Sequence, residues 1–165
     1  MKIGVSGHRR RDGADWDWVR AEMTRIIVST RSAIGYTSLA PGADQIFAGI
    51  VLEKGLSLVA VIPYYAGRVE LEEGAKEDFD RFRAQAKKVI RVRGVGRDEA
   101  FMKAGRRVAD ETDRMIFVWD GEPSRGHGGT ADIVAYALKR QKTGLILDPI
   151  RRTVRTLDAQ TAGAR

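Results

Sequence analysis

The sequence predicts a single α/β domain built on a doubly wound, open parallel sheet with helices on both faces, a three-layer α/β/α arrangement. Three observations carry this prediction. Short continuous apolar runs, of the kind that form fully buried strands, alternate along the chain with apolar stripes at helical spacing. A length of 165 residues suits one domain with a core that needs no staple. No internal repeat, low-complexity stretch or interdomain linker interrupts the alternation.

The elements follow in order. Ile3 to Ser6 reads as a first strand, and Asp15 caps a helix whose inward stripe is Val19, Met23, Ile26 and Ile27. Tyr36 to Ala40 is the second strand. The helix after it turns Ala43, Ile46, Phe47, Ile50 and Val51 inward and stops at Gly55. Leu56 to Ile62, the most apolar strand, ends at Pro63. Leu71, Ala75, Phe79, Phe82 and Ala86 make a third helical stripe, followed by a short strand from Val89 to Val92 with Arg91 near an edge. Asp98 caps a helix with Phe101, Ala104, Gly105 and Val108 inward, and Met115 to Trp119 is a further buried strand. A helix from Thr130 to Arg140 and a strand from Leu145 to Leu147 complete the domain, residues 1–150. Residues 151–165 form a basic tail with few large apolar groups, which leaves open a disordered arm or an added edge strand around Val154.

Composition narrows the function classes. The chain has no cysteine, which excludes disulfides, thiol chemistry and a Cys-based zinc site. Its two histidines have no third partner at metal-ligand spacing, so no metal or cofactor is expected. The apolar run at Ile3 to Val5 is too short for a signal peptide, and none approaches membrane-spanning length. A cytoplasmic protein away from membranes is the expectation. The net charge of +7 favours anionic partners, but the tail holds four arginines against one aspartate, so the domain itself is only mildly basic.

In a doubly wound sheet, ligands bind where strand C-termini and helix N-termini meet at a reversal of strand order. Three strand-end loops stand out there. Between Asp120 and Thr130, Gly126, Gly128 and Gly129 lie ahead of a helix that Thr130 can cap. Glycines let backbone N–H groups turn towards an anion, and the helix dipole adds attraction. The loop with Ser6, Gly7, His8 and Arg9 offers further donors, and Arg9 can pair with an anion. In the third, Gly42 and Ala43 precede Asp44, placed either as a dipole complement or as a contact to a ribose or base. His8 and His127 fall in two of these loops, each as a ligand contact in the first reading and otherwise as a proton-transfer group or an exposed loop residue. Asp132, in the first turn after the glycine loop, is the carboxylate best placed for acid/base work, with helix-end electrostatics as the plainer reading. Neither G-x-G-x-x-G nor G-x-x-x-x-G-K-[ST] is present, which disfavours a simple NAD enzyme or a P-loop ATPase.

Taken together, Ser6-Gly7-His8-Arg9, Ser38-Leu39-Ala40-Pro41-Gly42-Ala43-Asp44 and Gly128-Gly129-Thr130 resemble the SLOG superfamily, which includes the DprA DNA-processing proteins and the LOG-type phosphoribohydrolases. The resemblance spans residues 1 to about 148. It implies a Rossmann-like domain in which Gly128, Gly129 and Thr130 hold a phosphate while Ser6, Gly7, Gly42 and Asp44 line the pocket. LOG-type enzymes carry a glutamate three residues after the threonine of the glycine motif, where this chain has Ile133. The expected function is therefore binding of a nucleotide or nucleotide derivative, as a sensor or carrier. Hydrolysis of a nucleotide N-glycosidic bond using Asp132 is the first alternative. The second is single-stranded nucleic-acid binding through Arg9 to Arg11, the tail arginines and Trp16 and Trp18. Self-association stays open.

Overall fold

A computed structural model describes residues 1–67, 69, 74–124 and 128–158. The strands are β1 (Lys2–Gly7), β2 (Ile34–Thr37), β3 (Ser57–Tyr64), β4 (Lys88–Arg93), β5 (Arg114–Val118), β6 (Thr143–Asp148) and β7 (Thr153–Thr156). Between them run α1 (Trp16–Ser29), α2 (Ala43–Glu53), α3 (Lys76–Gln85), α4 (Arg97–Glu111) and α5 (Thr130–Lys139). All seven strands join one sheet in the order β4-β3-β2-β1-β5-β6-β7, parallel except for β7, which pairs antiparallel with β6. This is the predicted single-domain, Rossmann-like α/β architecture.

Alternation along the strands divides the core into two layers. Leu58, Ala60, Ile62, Ile116 and Val118 face α1, α2 and α3, whose buried stripes are the predicted ones: Val19, Met23, Ile26 and Ile27, then Phe47, Ile50 and Val51, then Phe79 and Phe82. Val59, Val61, Met115, Phe117 and Trp119 face α4 and α5, where Ala104, Val108, Ile133 and Val134 are buried. Trp16 and Trp18 pack against the first layer as partly buried core neighbours, and are not stacking platforms in the cleft. Among the described residues no helix is long and apolar enough to cross a membrane.

Several boundaries differ from those read in the sequence. β2 starts at Ile34 and stops at Thr37. The chain then bends through Leu39, a buried residue in the left-handed region at φ 59°. β3 passes through Pro63 to Tyr64. The carbonyls of Leu58 and Tyr64 accept from Lys87 and Gly94 on the β4 side, so alternation turns the Pro63 nitrogen towards β2. Pairing with β2 has already ended at Ala60, and the missing N–H costs no ladder bond. α4 is capped by Gly96, with Asp98 in its first turn. Phe101 on that helix is only partly buried. Leu71 of the third stripe lies outside the described residues.

At the C-terminal side, Thr153–Thr156 form β7 on the edge of β6. Leu157, 6% exposed, closes the second core layer, and its N–H donates to Gly144 O at 2.9 Å. Arg151 ties the preceding turn, donating to Asp148 Oδ2 at 2.9 Å and to Asp120 O at 3.2 Å.

Candidate functional site

The chain leaves β1 through β2, β3 and β4 on one side, then returns under α4 to place β5 on the other side of β1. The connections after β1 and β5 therefore diverge to opposite layers. A cleft of about 400 Å³ opens between them at the carboxyl ends of the strands, where a doubly wound sheet takes its ligands.

Loop one enters the cleft directly. Ser6, Gly7, His8 and Arg9 all line it, together with Arg10 and Arg11. The His8 N–H donates to Val118 O at 3.1 Å, extending the β1–β5 ladder one residue past the strand. Loop two locks onto it from the side, since Ala43 N–H donates to His8 O at 3.1 Å. Gly42, at φ 88°, packs so closely that a Cβ there would stand 2.2 Å from Arg9 O. Gly42 and Ala43 thus support loop one and are not among the residues lining the cleft, unlike the sequence expectation for them.

Asp44 does line it, as a residue only 5% exposed. Burial pushes its carboxyl from an ordinary 3.8 up to about 6, against opposing pulls from the Thr37 hydroxyl, the Ser38 and Ala40 backbone and the charge of Arg9. Ser38 N–H donates to Asp44 Oδ2 at 3.0 Å. The cleft therefore has a carboxyl that changes charge within a pH range most proteins tolerate.

The opposite wall is the start of α5. Gly128, Gly129 and Thr130 line the cleft with Ala131 and Ile133. Gly129 is the N-cap and makes no side-chain cap bond, so Thr130 is the first helical residue and does not cap the helix. The opening N–H groups of a helix have no intrahelical acceptor, which makes this end electropositive. Gly128, at φ 84°, lies against the first turn of α4, where a Cβ would stand 2.8 Å from Met102 N. Gly126 and His127 lie outside the described residues. Asp132 points elsewhere: its Oδ2 accepts the Gly128 N–H at 3.1 Å, its own N–H donates to Ser124 Oγ at 3.3 Å, and it does not line the cleft. Its carboxylate ties the glycine loop to the helix.

Several lining residues were not singled out in the sequence. Arg97 and Phe101 enter from the start of α4, and the guanidiniums of Arg9 and Arg97 lie 4.4 and 5.1 Å from the centre of the Phe101 ring. Cation–π attraction at these distances holds both arginines at the rim. Behind the lining lies Asp120, whose carboxylate meets His8 Nε2 at 3.0 Å and also accepts from Arg11 Nε. Burial alone would raise this carboxyl, but the Glu122 N–H, His8 and Arg11 together hold it below the usual carboxylate range. The signal for Asp120 was its position just past a buried strand, but only the pairing of Gly7 with Val118 reveals that it faces His8. Arg106 and Arg107 stay on the outer face of α4, one over the Tyr136 ring and the other paired with Glu111.

Chemically, four guanidiniums (Arg9, Arg10, Arg11 and Arg97), an imidazole and a helix N-terminus surround a space large enough for a small anionic ligand.

Neither protein-family models nor curated protein sequences match the chain. Solved structures with similar folds include DNA processing protein A from Streptococcus pneumoniae, with 17% identity and a TM-score of 0.65 over 89% of this chain and 50% of that one. DNA processing protein A from Helicobacter pylori, solved for its binding of single-stranded DNA, gives 16% and 0.65 over 90% of this chain and 65% of that one. The molybdenum cofactor carrier protein of Chlamydomonas reinhardtii gives 19% and 0.55 over 88% and 74%. The chain thus spans between half and two thirds of the two DNA processing proteins. Its fold is the Rossmann-like one implied by the resemblance of its loop motifs.

Proposed function

We propose that the protein binds a nucleotide or nucleotide derivative in the β1–β5 cleft, as a sensor or carrier. The carrying observation is convergence: Arg9, Arg10, Arg11 and Arg97 line the same 400 Å³ space as the first residues of α5. The phosphate sits at Gly129, Thr130 and Ala131 with the arginines opposite it. Asp44, Ser6 and Ser38 supply the polar groups for the sugar or base. Neighbours of similar fold that bind single-stranded DNA or carry a molybdenum cofactor support a ligand of this broad class. Asp132, turned away from the cleft, gives no support to a hydrolytic role.

A thermal-shift series with AMP, ADP, ADP-ribose and cyclic dinucleotides tests the reading. At least one should raise the melting temperature, and the rise should shrink in Arg97→Ala. No shift from any of them would refute the proposal. Binding confined to oligonucleotides, with steep salt dependence, would move the assignment to nucleic acid.

A further inference from the structure

Asp120 has a side chain only 2% exposed and does not line the cleft, yet both its carboxylate oxygens are committed to residues that do. Oδ1 lies 3.0 Å from His8 Nε2 and accepts the Glu122 N–H at 3.1 Å, while Oδ2 accepts from Arg11 Nε. The two partners come from loop one, 112 and 109 residues away in the chain. A buried carboxylate is costly unless its partners satisfy it, so this one constrains where loop one can place them.

The imidazole proton follows from the same contact. Two contacts compete for Nε2: Asp120 Oδ1 at 3.0 Å needs it to donate, whereas the Asp120 backbone N–H at 3.3 Å needs it to accept. The shorter contact, to an ionised oxygen, is the stronger, and it favours the proton on Nε2. Nδ1 is then the ring nitrogen left for other partners. Arg11 likewise spends its Nε on Asp120 and keeps its terminal nitrogens. His8 and Arg11 remain partly accessible, at 19% and 22%.

We propose that Asp120 is the positioning residue of the cleft: its buried carboxylate clamps His8 on one oxygen and Arg11 on the other, presetting an imidazole and a guanidinium as joint contacts for the ligand's phosphoryl oxygens. The ligand contact rests on the reading of the cleft given above; the clamp itself does not. Fixing both side chains in advance lowers the ordering cost of capture and selects phosphorylated over unphosphorylated nucleosides. Asp120 acts only through its two partners.

Calorimetry on the full chain with ADP and ADP-ribose, and with adenosine as the unphosphorylated control, tests this. Asp120→Asn keeps the side chain's size but cannot hold both partners. It should weaken ADP or ADP-ribose binding about tenfold or more. In a His8→Gln, Arg11→Met background the same change should cost nothing further. An equal loss in both backgrounds would make Asp120 a general structural residue and overturn the proposal. A ligand-free readout covers a variant that folds poorly: in the wild-type chain the His8 ring N–H should be protected from exchange and visible by NMR. Its absence overturns the clamp. Absence of any binding to wild type, with the ring proton visible, overturns the ligand role and the cleft reading while upholding the clamp.

Discussion

At the scale of single residues, three side chains or backbones decide the behaviour of the cleft, and each makes a separable prediction. Asp44 is protonated more readily in the folded chain than in the unfolded one, because burial pushes it up to about 6. A raised carboxyl favours the fold below its ordinary pKa and loses that contribution as pH rises through the folded value. Relative to Asp44→Asn, wild type should therefore lose about 3 kcal/mol in all as pH rises from well below 3.8 to well above 6, a figure set by the size of the shift. Chemical denaturation of both proteins from pH 3.5 to 7 measures most of it, and parallel curves would show that Asp44 does not titrate in this way. Gly42 is the second case. Its φ of 88° and the 2.2 Å approach to Arg9 O leave no place for a methyl group. Gly42→Ala should cost roughly 3 kcal/mol or more and loosen loop one. Urea unfolding together with amide exchange at His8 and Arg9 would register both effects. The third is Asp120, whose role was invisible in the sequence because its partners lie more than 100 positions away. His8 and Arg9 were legible only because they sit beside Gly7.

At the scale of elements, periodicity carried most of the information. The stripes on α1 and α2 are the ones the spacing predicts, since one-sided helices expose their burial pattern directly. Boundaries were less legible where tertiary pairing overrides local chemistry. Pro63 belongs to β3 because its nitrogen faces a side where β2 has already ended, a fact about the neighbour rather than about proline. Thr130 has a capping side chain but begins α5 without capping it, because Ser124 and Asp132 brace the loop instead. The tail shows the same limit. Composition leaves it open between a disordered arm and an edge strand around Val154; the described part is the strand, since Thr153–Thr156 pair with β6 and Leu157 fills the α5 side of the sheet. Leu157→Ala should therefore destabilise the fold by roughly 2 to 5 kcal/mol, the usual range for a buried leucine. Thermal denaturation measures this directly; an unchanged midpoint would return the segment to the status of a loose arm.

At the scale of the whole molecule, strand order turns a list of loops into a site. Nothing local in the sequence states that β5 lies beside β1, but the return of the chain under α4 brings Ser6–Arg9, Arg97 and the start of α5 around one space. The net charge of +7 then matters through its placement, since four of the arginines converge there. An amide-resolved NMR titration with ADP-ribose tests this account most directly. Saturable shifts concentrated at Ser6 to Arg9, Arg97, and Gly129 to Ala131 are the predicted result. An unchanged spectrum, or shifts confined to the outer strands β4 and β7, would contradict it.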